Sequence, residues 1–118
     1  MYNETTLDHF LNPRNTGRVE GGPEGSAINP DCDDTVVISL RVEDAVVTDA
    51  RFRSKGCAGA IACSSATTEM LLGQPVAEVA NLRARQIVDH LGGLPDEKFG
   101  CAEMAASAAR EALAAAKG

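Results

Sequence analysis

Two stretches of alternating polarity lie almost back to back, residues 35–43 (TVVISLRVE) and 46–54 (VVTDARFRS). In the first, Val36, Ile38, Leu40 and Val42 point one way, while Ser39, Arg41 and Glu43 point the other. In the second, Val46, Thr48, Ala50 and Phe52 oppose Asp49, Arg51 and Arg53. A period of two marks a half-buried strand. The link Glu43-Asp44-Ala45 is short enough to make the pair an antiparallel hairpin. Such a hairpin has one apolar face, and something must cover it.

The rest of the chain supplies the cover. Residues 58–72 are helix-compatible and end at Gly73 and Pro75. Residues 76–92 hold a turn and then a helix through Ile87, Val88 and Leu91, stopped by Gly92-Gly93. Residues 102–117 form an alanine-rich helix with an apolar face at Ala105, Ala108, Ala109, Ala112 and Leu113. Near the start, the spacing of Leu7, Phe10 and Leu11 predicts a short amphipathic helix over 4–12, ended by Asn12-Pro13. Residues 13–34 are rich in Gly, Pro, Asn and Asp and read as a long connection, with a short edge strand near Val19 or Ala27-Ile28. Connections of that length are usually functional or mobile. The expected architecture is α+β: an antiparallel sheet of about three strands with one face covered by helices. A single domain spanning residues 1–118 is expected from the length.

With one Tyr, three Phe and no Trp, the core must be aliphatic. The net charge of −6 and the lack of a basic stripe argue against nucleic acid and against anionic membrane surfaces as partners. Neither a secretory signal nor a membrane span is visible, so the chain reads as cytoplasmic. Thiols stay reduced there, and four cysteines are better read as free thiols or metal ligands than as a disulfide frame.

No C-x2-C pair is present, which excludes the usual zinc-finger pattern. Cys57 follows Gly56 and precedes a helix; Cys101 follows Gly100 and precedes another. A helix N-terminus favours the thiolate, the form that binds metals or carries sulfane sulfur. Cys32 stands two residues before Asp34, where the first long strand begins, so both side chains can aim at one region. Any single free cysteine is more often inert core, and Asp33 and Asp34 also suit a plain turn. Three cysteines at element boundaries beside Gly or Asp favour a site: Cys32, Asp34, Cys57 and Cys101. Cys63 lies six residues after Cys57, about 120° round the helix and roughly 9 Å along it, and is read as core. Arg51, Arg53 and Lys55 are read as a solvated strand face, with a docking edge for an acidic partner as the sharper alternative.

These residues resemble the iron–sulfur cluster scaffold proteins of the IscU type and the N-terminal scaffold domain of NifU. The resemblance runs through Tyr2, Asp8-His9-Phe10, Asn12-Pro13-Arg14-Asn15 and Gly17. It continues in Asn29-Pro30 with Cys32-Asp33-Asp34, in Asp49-Ala50-Arg51-Phe52 with Gly56-Cys57-Ala58, and in Leu94-Pro95 through Lys98 to Cys101. It implies a SufE/NifU-like fold and a scaffold or carrier, not an enzyme. A [2Fe–2S] cluster would be built from iron and from sulfur delivered by a cysteine desulfurase, then passed to acceptor apo-proteins. Cys32, Cys57 and Cys101 would be thiol ligands or persulfide carriers. Asp34 would be a weak oxygen ligand that keeps the cluster labile, with Tyr2 near the site. Three thiolates and a carboxylate match soft iron–sulfide chemistry poorly, which suits a protein that must release its cluster. Zinc is the alternative metal, and a zinc-bound persulfide acceptor of the SufU type is the alternative function. SufU-like chains carry an insertion before the third cysteine, which the connection Gly92–Gly100 lacks. Two departures stand out: Gly100 occupies the family's histidine position, and Asp33 replaces a glycine. The resemblance puts neither His9 nor His90 at the site. The segment Leu94-Pro95 with Lys98 resembles one offered to an Hsp70-type chaperone, here interrupted by Asp96 and Glu97.

Overall fold

A computed structural model of the chain describes residues 2–29 and 34–117. Strands β1 (Glu24–Asn29), β2 (Asp34–Glu43) and β3 (Val46–Lys55) form one antiparallel sheet in the order β1-β2-β3. The β2–β3 turn is two residues, Asp44 and Ala45, both at positive φ (52° and 65°). Paired positive φ values match the right-handed twist of a hairpin.

The alternation holds on β2, where Val36, Ile38 and Leu40 are fully buried. On β3 it breaks once. Arg41 pairs with Asp49 and Val42 with Val47, which leaves Thr48 as an extra residue in a bulge. Val47 therefore turns into the core and Thr48 faces solvent, the reverse of the simple alternation. The polar face is not wholly open either. Buried Ser39 accepts the Val19 N–H at 2.9 Å, so the long connection folds over it. Of the two places where an edge strand was expected, Ala27-Ile28 lies in β1, while Val19 is a buried loop residue. Residues 15–17 line the outer edge of β3, with the Phe52 N–H donating to Asn15 O and the Gly17 N–H to Phe52 O, both at 2.9 Å.

Helix α1 (Glu4–Leu11) departs from expectation. Thr6 and His9 are its buried residues, while Leu7 and Leu11 are 40% and 69% exposed. The helix packs on α2 (Ala58–Leu71) through a polar face because hydrogen bonds are available there, as described below. Helix α2 is buried on nearly every side and carries mostly small residues. Its hydroxyls are satisfied within the helix: Ser64 Oγ donates to Ala60 O, Thr67 Oγ1 to Cys63 O and Thr68 Oγ1 to Ser65 O, each at 2.7 Å. Those bonds make a polar helix tolerable in an apolar setting.

Helices α3 (Val76–Val79) and α4 (Ala84–His90) lead to a 3-10 turn, Asp96–Lys98, that runs directly into α5 (Phe99–Lys117). Helix α5 begins three residues earlier than its alanine pattern announces. Its expected face is fully buried: Ala105, Ala108, Ala109, Ala112 and Leu113. It packs on β1 and β2 while α2 packs on β3, so these two helices cover the sheet. Close approach needs Gly25: a Cβ there would stand 2.1 Å from Ala108 O and 2.4 Å from Ala112 N.

Candidate functional site

Cys57 is the N-cap of α2, reached from the end of β3 through Gly56 at φ 155°. That conformation favours glycine. A Cβ at Gly56 would stand 2.5 Å from Asp34 Cγ, so the carboxyl group of Asp34, the first residue of β2, lies directly against the Gly56 backbone. Cys101 is the third residue of α5 and is 9% exposed. Its Sγ lies 3.7 Å from Cys57 Sγ. That is far beyond the ~2.05 Å of a disulfide. It matches the roughly 3.8 Å between two thiolates on one tetrahedral ion with ~2.3 Å metal–sulfur bonds.

Two further groups close the site. A Cβ added at Gly59 would stand 3.1 Å from the Tyr2 hydroxyl, 3.2 Å from Cys101 Sγ and 3.6 Å from Lys98 Cδ. Gly59 thus leaves room for a tyrosine, a thiol and a lysine stem on the first turn of α2. Lys98 precedes Cys101 by three residues, a helical spacing that puts both on one face. That spacing is the available signal for Lys98, to which the sequence reading gives no role at the thiols.

The electrostatics run against the simple helix-terminus argument. Cys101 sits inside the first turn of α5 and not just ahead of it. Burial, reinforced by the Cys57 thiol beside it, pushes its thiol up to about 12, with Lys98 pulling the other way. Without a metal, Cys101 therefore keeps its proton, and a cation that binds must displace it. Lys98 is raised by Cys57 and then by Tyr2. Burial raises Tyr2.

Of the four expected site residues, Asp34, Cys57 and Cys101 come together in this way. Cys32 lies outside the described residues. Cys63 is fully buried in the aliphatic core, and burial raises its thiol strongly. A Cβ at Gly100 would meet none of the described residues within 4 Å, so these leave the position where a histidine is expected open beside Cys101. Arg51 and Arg53 on β3 are engaged with Asp49 (3.1 Å) and Glu24 (3.5 Å), as befits a solvated face. No helix among the described residues is long and apolar enough to cross a membrane.

The site and sheet define an α+β domain that presents two free thiols, one half-buried and one buried, where two helices start. The chain matches the family model described as NifU-like N terminal domain over residues 1–118, and it belongs to that family. The iron-sulfur cluster assembly scaffold protein IscU 1 of Archaeoglobus fulgidus is 40% identical over 114 residues, covering 96% of this chain and 74% of that protein. The protein of that name, IscU, from Aquifex aeolicus is 44% identical over 106 residues, covering 87% and 68%. The Escherichia coli IscU protein is 35% identical over 118 residues, covering 96% and 91%. Among solved structures, a putative iron-sulfur cluster assembly scaffold protein for the SUF system from Fervidobacterium islandicum superposes with a TM-score of 0.78 at 19% identity. It covers 95% of this chain and 96% of that one, a likeness of fold.

Proposed function

We propose that this chain is a scaffold on which a [2Fe–2S] cluster is assembled and from which it is handed on. Cys57 and Cys101 hold the cluster as thiolates, joined by Cys32, with Asp34 as a weak oxygen ligand. The observation that carries this reading is the 3.7 Å separation of two unbridged thiols from two different helices, with a carboxylate lying on the adjoining glycine. The relatives named as IscU scaffold proteins support it, as do the free thiols of the two described site cysteines.

In this reading the cluster is cargo. A cysteine desulfurase supplies the sulfur, an acceptor apo-protein takes the cluster, and the chain itself performs no turnover. A reducing, cytoplasmic setting fits, because the site works only while its thiols stay unbridged. Lys98 and Tyr2 border the thiols, with the Lys98 ammonium offsetting negative charge as thiolates form. The described residues leave a position at Gly100 that a partner's side chain can enter during delivery or release.

The test is anaerobic reconstitution with Fe(II), cysteine and a desulfurase, followed by transfer to an apo-ferredoxin. A visible charge-transfer spectrum that migrates to the acceptor is expected. Asp34→Ala should slow that transfer, since it removes the weak ligand. Retained zinc with persulfide on one cysteine and no cluster would instead establish the SufU-type carrier.

A further inference from the structure

The polar face that α1 buries leads to a second cluster of ligating groups. His9, Glu69 and His90 bring their donor atoms within 4.8 Å of one another. Glu69 Oε1 lies 2.7 Å from His90 Nε2 and 3.6 Å from His9 Nε2. The chain has two histidines in all, and both are here. Glu69 follows Cys57 by twelve residues along α2, a rise of roughly 18 Å, so no ion is shared with the thiols.

We propose that His9, Glu69 and His90 form a binding site for one divalent first-row transition ion, separate from the thiol site. Two imidazoles and one carboxylate are the donor set that zinc and ferrous iron accept, leaving further positions for water.

Four observations carry this. His9 is 3% exposed, and its Nε2 makes no hydrogen bond to a described residue, Glu69 Oε1 standing at 3.6 Å. Its other nitrogen, Nδ1, lies 2.8 Å from buried Ser65 Oγ. A ligating histidine is typically oriented by such a bond on its second nitrogen. In the tautomer whose Nδ1–H donates to Ser65, the Nε2 lone pair faces Glu69 and His90. The separations of 2.7 and 3.6 Å straddle the ~3.4 Å between ligands on a tetrahedral ion with ~2.1 Å bonds. Finally, each ligand stands in the last turn of its helix: His9 in α1, Glu69 in α2 and His90 in α4. The partial negative charge at helix C-termini favours a cation there.

The charged groups facing the trio are Arg14 and Asp8. Arg14 is paired with Asp8 through Nη2, and its Nε stands 3.9 Å from Glu69 Oε2. One guanidinium against two carboxylates leaves these surroundings net negative, which a divalent ion offsets. Such an ion ties α1 to α2 and α4.

The experiment is an anaerobic Co(II) titration of the full wild-type chain. Two classes of bound ion are expected: one with a thiolate-to-cobalt charge-transfer band, and a second with weak d–d absorption alone. His90→Gln and Glu69→Gln should each weaken the second class at least ~10-fold and leave the thiolate band intact, and Ser65→Ala should weaken it ~10- to 100-fold. Zn(II) should shift the ring nitrogens of both histidines in 15N NMR, a spectrum with no other imidazole to confuse it. A single class of cobalt carrying the thiolate band would overturn the proposal. So would a second class indifferent to both His90→Gln and Glu69→Gln; the trio would then be a hydrogen-bond network holding three helices together.

Discussion

Gly56→Ala probes whether Asp34 stands where the site requires it. Two penalties are expected. The first is backbone strain: φ is 155° in the native chain, and a non-glycine residue held in so sparse a region costs about 1–3 kcal/mol. The second is steric. The new Cβ would meet Asp34 Cγ at 2.5 Å, Oδ1 at 2.6 Å and Cβ at 3.0 Å, so the whole carboxyl group must swing away. Overpacking of this kind costs about 1–3 kcal/mol. A total of about 2–6 kcal/mol follows. For 118 residues, an unfolding entropy of ~2.1 cal/mol/K per residue makes each kcal/mol worth about 4 °C, so Tm should fall by roughly 8–24 °C. Thermal unfolding followed by far-UV circular dichroism on chelator-treated protein measures it. Repeating the substitution in Asp34→Ala separates the penalties, since the strain persists and the clash with Cγ and Oδ1 is gone. A coupling of at least ~1 kcal/mol is expected, well above the ~0.3–0.5 kcal/mol scatter of independent sites. Strict additivity would refute the placement of the Asp34 carboxyl group on Gly56, and with it the claim that this group stands beside Cys57.

Other substitutions test the frame. Gly25→Ala should destabilise by about 3 kcal/mol or more, because backbone atoms of α5 stand in the way at 2.1 and 2.4 Å. Gly100→Ala, whose Cβ would meet no described residue within 4 Å, should instead stabilise by up to about 1 kcal/mol from helix propensity; urea titration reads both. Cys63→Ser should keep its iron while losing about 1–3 kcal/mol, the cost of a hydroxyl in an aliphatic core; calorimetry beside iron analysis checks this. His9 is held below the usual imidazole range, first by burial and then by Arg14. The unfolded chain protonates it near pH 6.5, so its contribution is complete above that pH and is lost as pH falls towards the folded value. Tm of the metal-free protein should therefore decline between about pH 7 and 5, before carboxylates begin to titrate near pH 4, and His9→Gln should flatten that decline.

The hairpin, the helical cover and the small-residue face of α5 were legible because periodicity reports burial directly. The bulge was not: Thr48 fits a strand as well as Val47 does, and only the pairing of Arg41 with Asp49 decides which turns inward. Helix α1 was misjudged for a related reason. Leu7 and Leu11 mark an apolar stripe, yet the buried face carries Thr6 and His9, because Ser65 on α2 offers His9 a hydrogen bond that spacing cannot reveal. In the candidate site, Cys57 stood out by following Gly56 at a helix start. The raised thiol of Cys101 did not, since its burial depends on α5 beginning at Phe99 and on Cys57 arriving from another element. The meeting of His9, Glu69 and His90 depends on three helices ending together, a tertiary fact with no local signature.

Cluster binding by Cys57 and Cys101, joined by Cys32, is what the proposed function requires. Its most direct test is metal and sulfide analysis, with the absorption spectrum, after anaerobic reconstitution of the wild-type chain and single cysteine variants. Two iron and two sulfide per cluster-bearing chain are expected, as for any [2Fe–2S] centre. Cys32→Ser, Cys57→Ser and Cys101→Ser should each abolish or strongly weaken the charge-transfer spectrum, and Cys63→Ser should keep it. A spectrum that survives loss of both Cys57 and Cys101, or disappears only with Cys63, would contradict the account.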